Sequence, residues 1–133
     1  RFTDYCKRLI SRNLVPLKNN GLYHYIIVEQ LETIGDQYKD INKHVLKNDL
    51  IFSNELKQTF NDVNKFFRQF NDLYYNFELE KMKVFWKKRN ELISNLNEHQ
   101  KNLNKNEMKI NYYLTNIVNL LFDMYDLIII VKS

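Results

Sequence analysis

Glycine and proline are nearly absent from this chain, which has two Gly and one Pro among 133 residues. An all-β sandwich or barrel needs turn residues about every 8 to 12 positions, so this sequence is poorly suited to that class. Long helices are the expected alternative. A chain of this length buries roughly 65–70% of its unfolded surface, which suffices for one core without disulfides or a structural metal. We therefore predict one all-α domain over residues 1–133.

Apolar residues recur at helical spacing, which predicts helices over about residues 2–13, 22–47, 53–77, 82–103 and 107–128. Ser53 is the expected N-cap of the third helix. Its apolar seam consists of Leu56, Phe60, Val63, Phe67, Phe70, Tyr74 and Phe77. A phase shift after this seam predicts a kink or a short turn near residues 71–76, and polar residues predict a connection within 97–109. The predicted architecture is an antiparallel bundle of long helices with short connections.

Charge and apolar runs limit the location and the partners of the chain. The net charge is +4, but the lysines are scattered and only Lys87-Lys88-Arg89 forms a basic run, so we do not expect this segment to bind nucleic acid. The longest apolar run, Leu127 to Val131, is far shorter than the roughly 20 residues of a membrane helix. We predict no membrane span. The single cysteine, Cys6, and the lack of a signal peptide favour the cytoplasm.

Four carboxylates gather on one side of the second predicted helix, and we call them the acidic face: Glu29, Glu32, Asp36 and Asp40. At about 100° per residue they fall within about 80° of one another, opposite the apolar side. Carboxylates one turn apart repel by about 0.2–0.5 kcal/mol per pair. Such a line in a basic chain calls for an explanation.

Two interpretations of the acidic face remain open. In the first it is solvated, and the nearby Lys39, Lys43 and Lys47 relieve the repulsion. In the second it binds cations, because carboxylates on successive turns suit hard or borderline metal ions. His44 lies one turn beyond Asp40 and is a weaker candidate ligand. Gly35, within this helix, lowers helix stability by about 1 kcal/mol relative to alanine. The helix can tolerate this loss if the missing side chain allows close packing or the approach of a ligand.

The sequence Leu31-Glu32-Thr33-Ile34-Gly35-Asp36, within residues 23–41, resembles the acidic helix of the PhoU family of phosphate-uptake regulators, particularly its archaeal members. The resemblance implies an all-α bundle of three-helix repeats. It places the acidic motif of the family at Glu32 and Asp36, with Asp40 continuing the line and Glu29 as a weaker member. In the family this motif holds iron or zinc-type clusters, so the resemblance implies iron, zinc or another divalent metal here.

The second acidic helix of the family is only partly matched in this chain. Asp123 corresponds to one acid of that helix, but Asn119 stands in place of the other. Asp123 is therefore a weaker candidate ligand. The segment Tyr5–Ile10 also fits the archaeal pattern.

No arrangement of residues typical of catalysis is present. The chain has one Cys, three separated His and no glycine-rich phosphate loop. No Cys or His pair has zinc-finger spacing. We therefore predict that the protein is not an enzyme.

The resemblance implies a regulator of phosphate uptake that contacts a phosphate transporter or a signalling protein and forms homo-oligomers. DNA contact would come only through a domain upstream of Arg1, since the chain is expected to be a fragment of a longer one. The alternative is a helical scaffold or interaction module without a metal site. The lack of alanine and the abundance of Asn, Lys and Ile are typical of an AT-rich genome. In that alternative the aromatic seam over residues 60–77 partly faces a partner helix.

Overall fold

The computed structural model describes residues 20–132, and this part of the chain is built from helices without strands. The helices are α1 (Asn20–Asn48), α2 (Asn54–Tyr75), α3 (Leu79–His99), α4 (Lys105–Asp123) and α5 (Tyr125–Lys132), and a 3-10 turn covers Gln100–Asn102. The predicted all-α class is confirmed for these residues. The helix predicted over residues 2–13 lies outside them.

The helix starts at α2 and α4 are fixed by side-chain caps. Ser53 accepts a hydrogen bond from the Leu56 amide at 3.3 Å, as its predicted N-cap role requires. Asn104 accepts one from the Glu107 amide at 2.9 Å. The buried Glu107 carboxylate in turn accepts a hydrogen bond from the Ser53 amide at 3.0 Å. One carboxylate therefore connects the starts of two helices, each of which presents the positive end of its dipole.

The core lies along the apolar sides of α1 to α5, and α4 packs against α1, α2 and α3. On α1 the predicted apolar face is confirmed, with Ile27, Ile34 and Ile41 fully buried. The apolar positions predicted for the last helix are also buried: Ile110, Leu114, Ile117, Leu121, Met124 and Ile128. That segment begins at Lys105 and is divided at Met124, a division that the periodicity did not predict.

The predicted aromatic seam of α2 is confirmed at Leu56, Val63 and Phe70, which are buried, and is displaced by one residue at three other positions. The buried line contains Thr59, Phe66 and Leu73, each one residue before the predicted Phe60, Phe67 and Tyr74. Phe66 faces α3, where it stacks on Phe85 with ring centroids 4.3 Å apart. The aromatic side chains that were predicted to be buried but are not, Phe60, Phe67 and Tyr74, are half-buried and pack against the core. Among them, Phe60 and Phe67 contact Tyr38 of α1 at 6.3 and 6.1 Å.

The break predicted near residues 71–76 is a short turn that lies slightly later, at residues 76–78, since α2 ends at Tyr75 and α3 begins at Leu79. The Asn76 amide donates to the Asp72 carbonyl at 2.8 Å, and Lys81 forms an ion pair with Asp72 at 2.9 Å. The connection predicted within residues 97–109 is the 3-10 turn and the residues that follow it. A phase shift of the apolar pattern marks the first break and a run of polar residues marks the second, which is why both could be predicted.

Helices α4 and α5 together form a stretch, Lys105–Lys132, that is long and apolar enough to cross a membrane by length and composition. The core helix of a soluble protein meets the same two criteria. The buried side of this stretch packs on α1, α2 and α3.

Candidate functional site

The acidic face lies on the side of α1 that points away from the core. Glu29 and Asp36 are exposed, while Glu32 and Asp40 are half-buried. Glu29 and Asp40 are about 16 Å apart along the helix, at about 1.5 Å per residue. One ion therefore cannot contact all four carboxylates, and only members on adjacent turns can share one.

The other predicted ligands do not complete a three-ligand site with the acidic face. Within residues 20–132, no three His, Cys, Asp or Glu side chains are grouped so that they could hold a metal ion. Asp123 is exposed and lines a polar cavity of about 270 Å³ between α1 and α4. The neighbours of Asp123 in that cavity are Thr33, Gln37, Asn116, Asn119 and Leu120.

His44 forms hydrogen bonds at both ring nitrogens, and the one at Nε2 connects α1 to α4. Nε2 lies 3.2 Å from the carbonyl oxygen of Asn106, which can only accept, so Nε2–H donates. Nδ1 lies 3.2 Å from the side-chain nitrogen of Asn48, which can only donate, so Nδ1 accepts. This arrangement requires the neutral imidazole. A metal bound at either nitrogen would break one of these hydrogen bonds.

Gly35 leaves an open surface beside Glu32 and Asp36. A Cβ atom added at Gly35 would meet no atom of residues 20–132 within 4 Å, apart from its own helix and its chain neighbours. Close helix packing against the described elements therefore does not explain this glycine. Its effect is to keep the surface low beside the acidic face.

The N-terminal end of α1 carries a cavity of about 540 Å³ that is more apolar than the cavity beside Asp123. Its lining includes His24, Ile27, Leu31 and Tyr74. His24 Nδ1 and the Tyr74 hydroxyl are 2.6 Å apart, and Lys132 lies over the Tyr74 ring at 4.4 Å. Burial, and secondarily the charge of Lys132, lowers the pKa of His24. His24 is therefore neutral at physiological pH.

The outer surface of α3 exposes three large apolar side chains: Leu79, Val84 and Trp86, with exposed fractions of 67%, 58% and 49%. Cavities of about 450 and 560 Å³ flank this surface on the α2 and α5 sides. Lys83 and Lys87 line the second cavity together with Trp86. The alternative of an interaction module placed partner contacts partly on the aromatic seam of α2, and sequence reasoning missed this surface of α3.

Sequence reasoning also missed a polar cavity of about 310 Å³ where α1 ends and α4 begins. Lys43 and Lys47 come from α1, and Lys109 comes from α4. The two lysines of α1 are recognisable in the sequence as neighbours on one face. Nothing in the sequence indicates that Lys109 lies beside them, because helix packing alone brings it there.

Comparisons of the chain with protein-family models, with curated proteins and with solved structures found no match.

Proposed function

We propose that this protein is a PhoU-like regulator of phosphate uptake that acts in the cytoplasm through contacts with a phosphate transporter or a signalling protein, and not as an enzyme. The observation that carries the proposal is the outward position of the acidic face on a long helix of an all-α chain. Glu32 and Asp36, which match the acidic motif, lie on that surface beside the open Gly35. Any DNA contact would come from a domain upstream of Arg1.

The proposal includes an antiparallel bundle with PhoU-like three-helix repeats. Residue contacts between α1 and α4 support the antiparallel order, because His44 near the end of α1 meets Asn106 near the start of α4, and Gln37 meets Asn116 further along. Contacts between α2 and α3 support it too. There Phe66 meets Phe85, and Thr59 lies 2.9 Å from His99.

We propose that adjacent carboxylates of the acidic face bind a divalent ion such as iron, zinc or manganese. The pairs are Glu32 with Asp36, and Asp36 with Asp40, each on successive turns of α1. Two carboxylates leave the coordination of such an ion incomplete, so water or the acidic face of a second copy supplies the other ligands. This requirement gives the proposed homo-oligomer a chemical role.

Asp36→Asn is the sharpest test of the metal proposal, because Asp36 belongs to both pairs. We expect metal affinity to fall at least about tenfold, since losing a supporting partner of a ligand already costs 10–100-fold. The measurement is metal analysis of protein purified without chelator, followed by titration with iron, zinc and manganese. Asp62→Asn on α2 makes the same chemical change away from the acidic face and should leave affinity unchanged. If no metal binds, or if both variants bind metal equally well, the metal-binding proposal is contradicted. The description of the fold is unaffected by that result.

A second candidate function is a helical interaction module, favoured by the exposed surface around Trp86. Lys83 and Lys87 adjoin Trp86, and Lys83 is ion-paired with Glu80, which lines the same cavity. Because the two lysines outnumber the one carboxylate, the partner that fits is an amphipathic helix with acidic residues beside its apolar face. In this case the acidic face of α1 is solvated, and the aromatic seam of α2 belongs to the core.

Trp86 is the only tryptophan of the chain, so its fluorescence reports directly on this surface. Adding a designed acidic amphipathic helix should shift its emission to shorter wavelength as the indole leaves water. Lys83→Glu/Lys87→Glu should abolish the shift, and Lys57→Glu/Lys65→Glu on α2 should preserve it. An unchanged spectrum, together with self-association measured by light scattering, would assign the surface to a second copy and contradict this candidate.

A further inference from the structure

The cavity between the end of α1 and the start of α4 concentrates positive charge, and we call it the lysine pocket. Its walls are formed by Asp40, Lys43, His44, Lys47, Asn48, Lys109 and Tyr113. Lys43 and Lys47 lie one turn apart, so both stand on the same side of α1. Lys109 approaches from α4. The ammonium groups of two helices therefore surround one concavity.

The positive charge of the lysine pocket is not neutralised by the surrounding protein. Three lysines face a single carboxylate, Asp40, which leaves an excess of two positive charges. His44 adds none, because its hydrogen bonds require the neutral ring. Within residues 21–132, the ion pairs of the structure involve other lysines, and none of the three lysine side chains here has a hydrogen-bond acceptor. The three ammonium groups are available for a ligand.

The walls of the lysine pocket are held together before any ligand arrives. His44 Nε2–H donates to the Asn106 carbonyl of α4 at 3.2 Å. The Asn48 side-chain nitrogen donates to the His44 carbonyl at 2.9 Å and lies 3.2 Å from His44 Nδ1. The His44–Asn106 hydrogen bond joins the last turns of α1 to α4, and the two Asn48 contacts orient His44 within α1. Little binding free energy is therefore lost in bringing the two walls together, which favours ligand binding.

We propose that the lysine pocket binds an anion with two or more phosphoryl groups, of which pyrophosphate is the simplest. Lysine ammonium groups bind phosphoryl oxygens as point charges and need no fixed bidentate geometry. A cavity of about 310 Å³ equals about ten water molecules at roughly 30 Å³ each, which is more than one phosphoryl group requires. Tyr113, which lines the pocket, carries a hydroxyl that can act as a neutral donor. This inference does not depend on the PhoU-like assignment, and the lysine pocket shares only Asp40 with the proposed metal-binding pairs.

The test is calorimetric titration of the full chain with pyrophosphate and with inorganic phosphate, after the protein has passed over a chelating resin. The resin removes metal ions that could bring phosphate to the acidic face. Pyrophosphate should bind more tightly than phosphate, and its affinity should fall as salt rises, because exposed charges are screened. Lys43→Gln/Lys109→Gln should weaken binding about 25-fold, at about fivefold for each unit charge in an exposed site.

Two comparisons make the outcome specific to the lysine pocket. The control Lys57→Gln/Lys65→Gln removes the same charge from α2 and should bind as the parent does. Asp40→Asn should tighten pyrophosphate binding about fivefold, because it removes the opposing charge. Equal losses in both double variants, or weaker binding by Asp40→Asn, would overturn the proposal. Binding to vesicles that contain phosphatidylglycerol but not to pyrophosphate would assign the surface to a lipid headgroup and would also overturn it.

Discussion

Phe85→Ala is expected to lower the free energy of unfolding by about 3–5 kcal/mol, the range for removing a buried aromatic ring. Phe85 is 2% exposed and stacks on Phe66 with a centroid distance of 4.3 Å. It also contacts Phe70 and Tyr125, each at 6.2 Å between centroids. The ring therefore joins α2, α3 and the start of α5. Its removal leaves a cavity that three elements would have to close.

Urea unfolding followed by circular dichroism measures this loss. Small domains unfold with a total free energy of about 5–15 kcal/mol, so Phe85→Leu serves as a milder variant if the alanine variant does not fold. The matched control is Trp86→Ala on the next residue, whose side chain is 49% exposed. We expect a much smaller loss there. An equal loss at the two positions would contradict the placement of Phe85 in the core.

Glu107→Ala is expected to lower the free energy of unfolding by about 1.5–3 kcal/mol, the range for a hydrogen bond to a charged group. Glu107 is 6% exposed, and its carboxylate accepts from the Ser53 amide at the start of α2. The carboxylate also lies in the first turn of α4, where negative charge stabilises the helix. The substitution leaves the Ser53 amide without this acceptor in a partly buried position.

Thermal and urea unfolding of two further variants separate these contributions. Glu107→Gln keeps an oxygen acceptor but loses the charge, so it should lose only about 0.3–1 kcal/mol from the helix dipole. Glu98→Ala, at an exposed position near the end of α3, should stay within about 0.5 kcal/mol of the parent. If Glu107→Ala lowered the free energy of unfolding no more than Glu98→Ala does, the hydrogen bond between the two helix starts would contribute nothing to stability.

The periodicity of apolar residues predicted the helices well because each helix buries one side. It predicted the α2 seam less well because α2 touches α1, α3 and α4. Its apolar stripe is wide, and the sequence does not say that Phe66 turns to α3 while Phe67 turns to α1. The same difficulty applies to Glu107. A position in the first turn of α4 could be foreseen, but its contact with Ser53 depends on how the two helix starts meet.

The candidate sites also differ in how far the sequence predicts them. The acidic face lies on one helix, so helical geometry alone places its carboxylates together. The lysine pocket needs Lys109 from a second helix, and the surface around Trp86 depends on which side of α3 remains uncovered. Contacts within one helix can be read from the sequence. Contacts between helices require the packing.

The packing of α1 has a consequence for the order in which the bundle assembles. α2 packs on α3 and α3 on α4, which are neighbours along the chain, whereas α1 packs mainly on α4 and α5. Contacts between distant parts of a chain form later, since closing a longer loop costs more entropy. During synthesis α1 emerges well before the helices that complete its surroundings. We therefore expect the helix that carries the acidic face and most of the lysine pocket to gain its full set of neighbours only after α4 and α5 have formed.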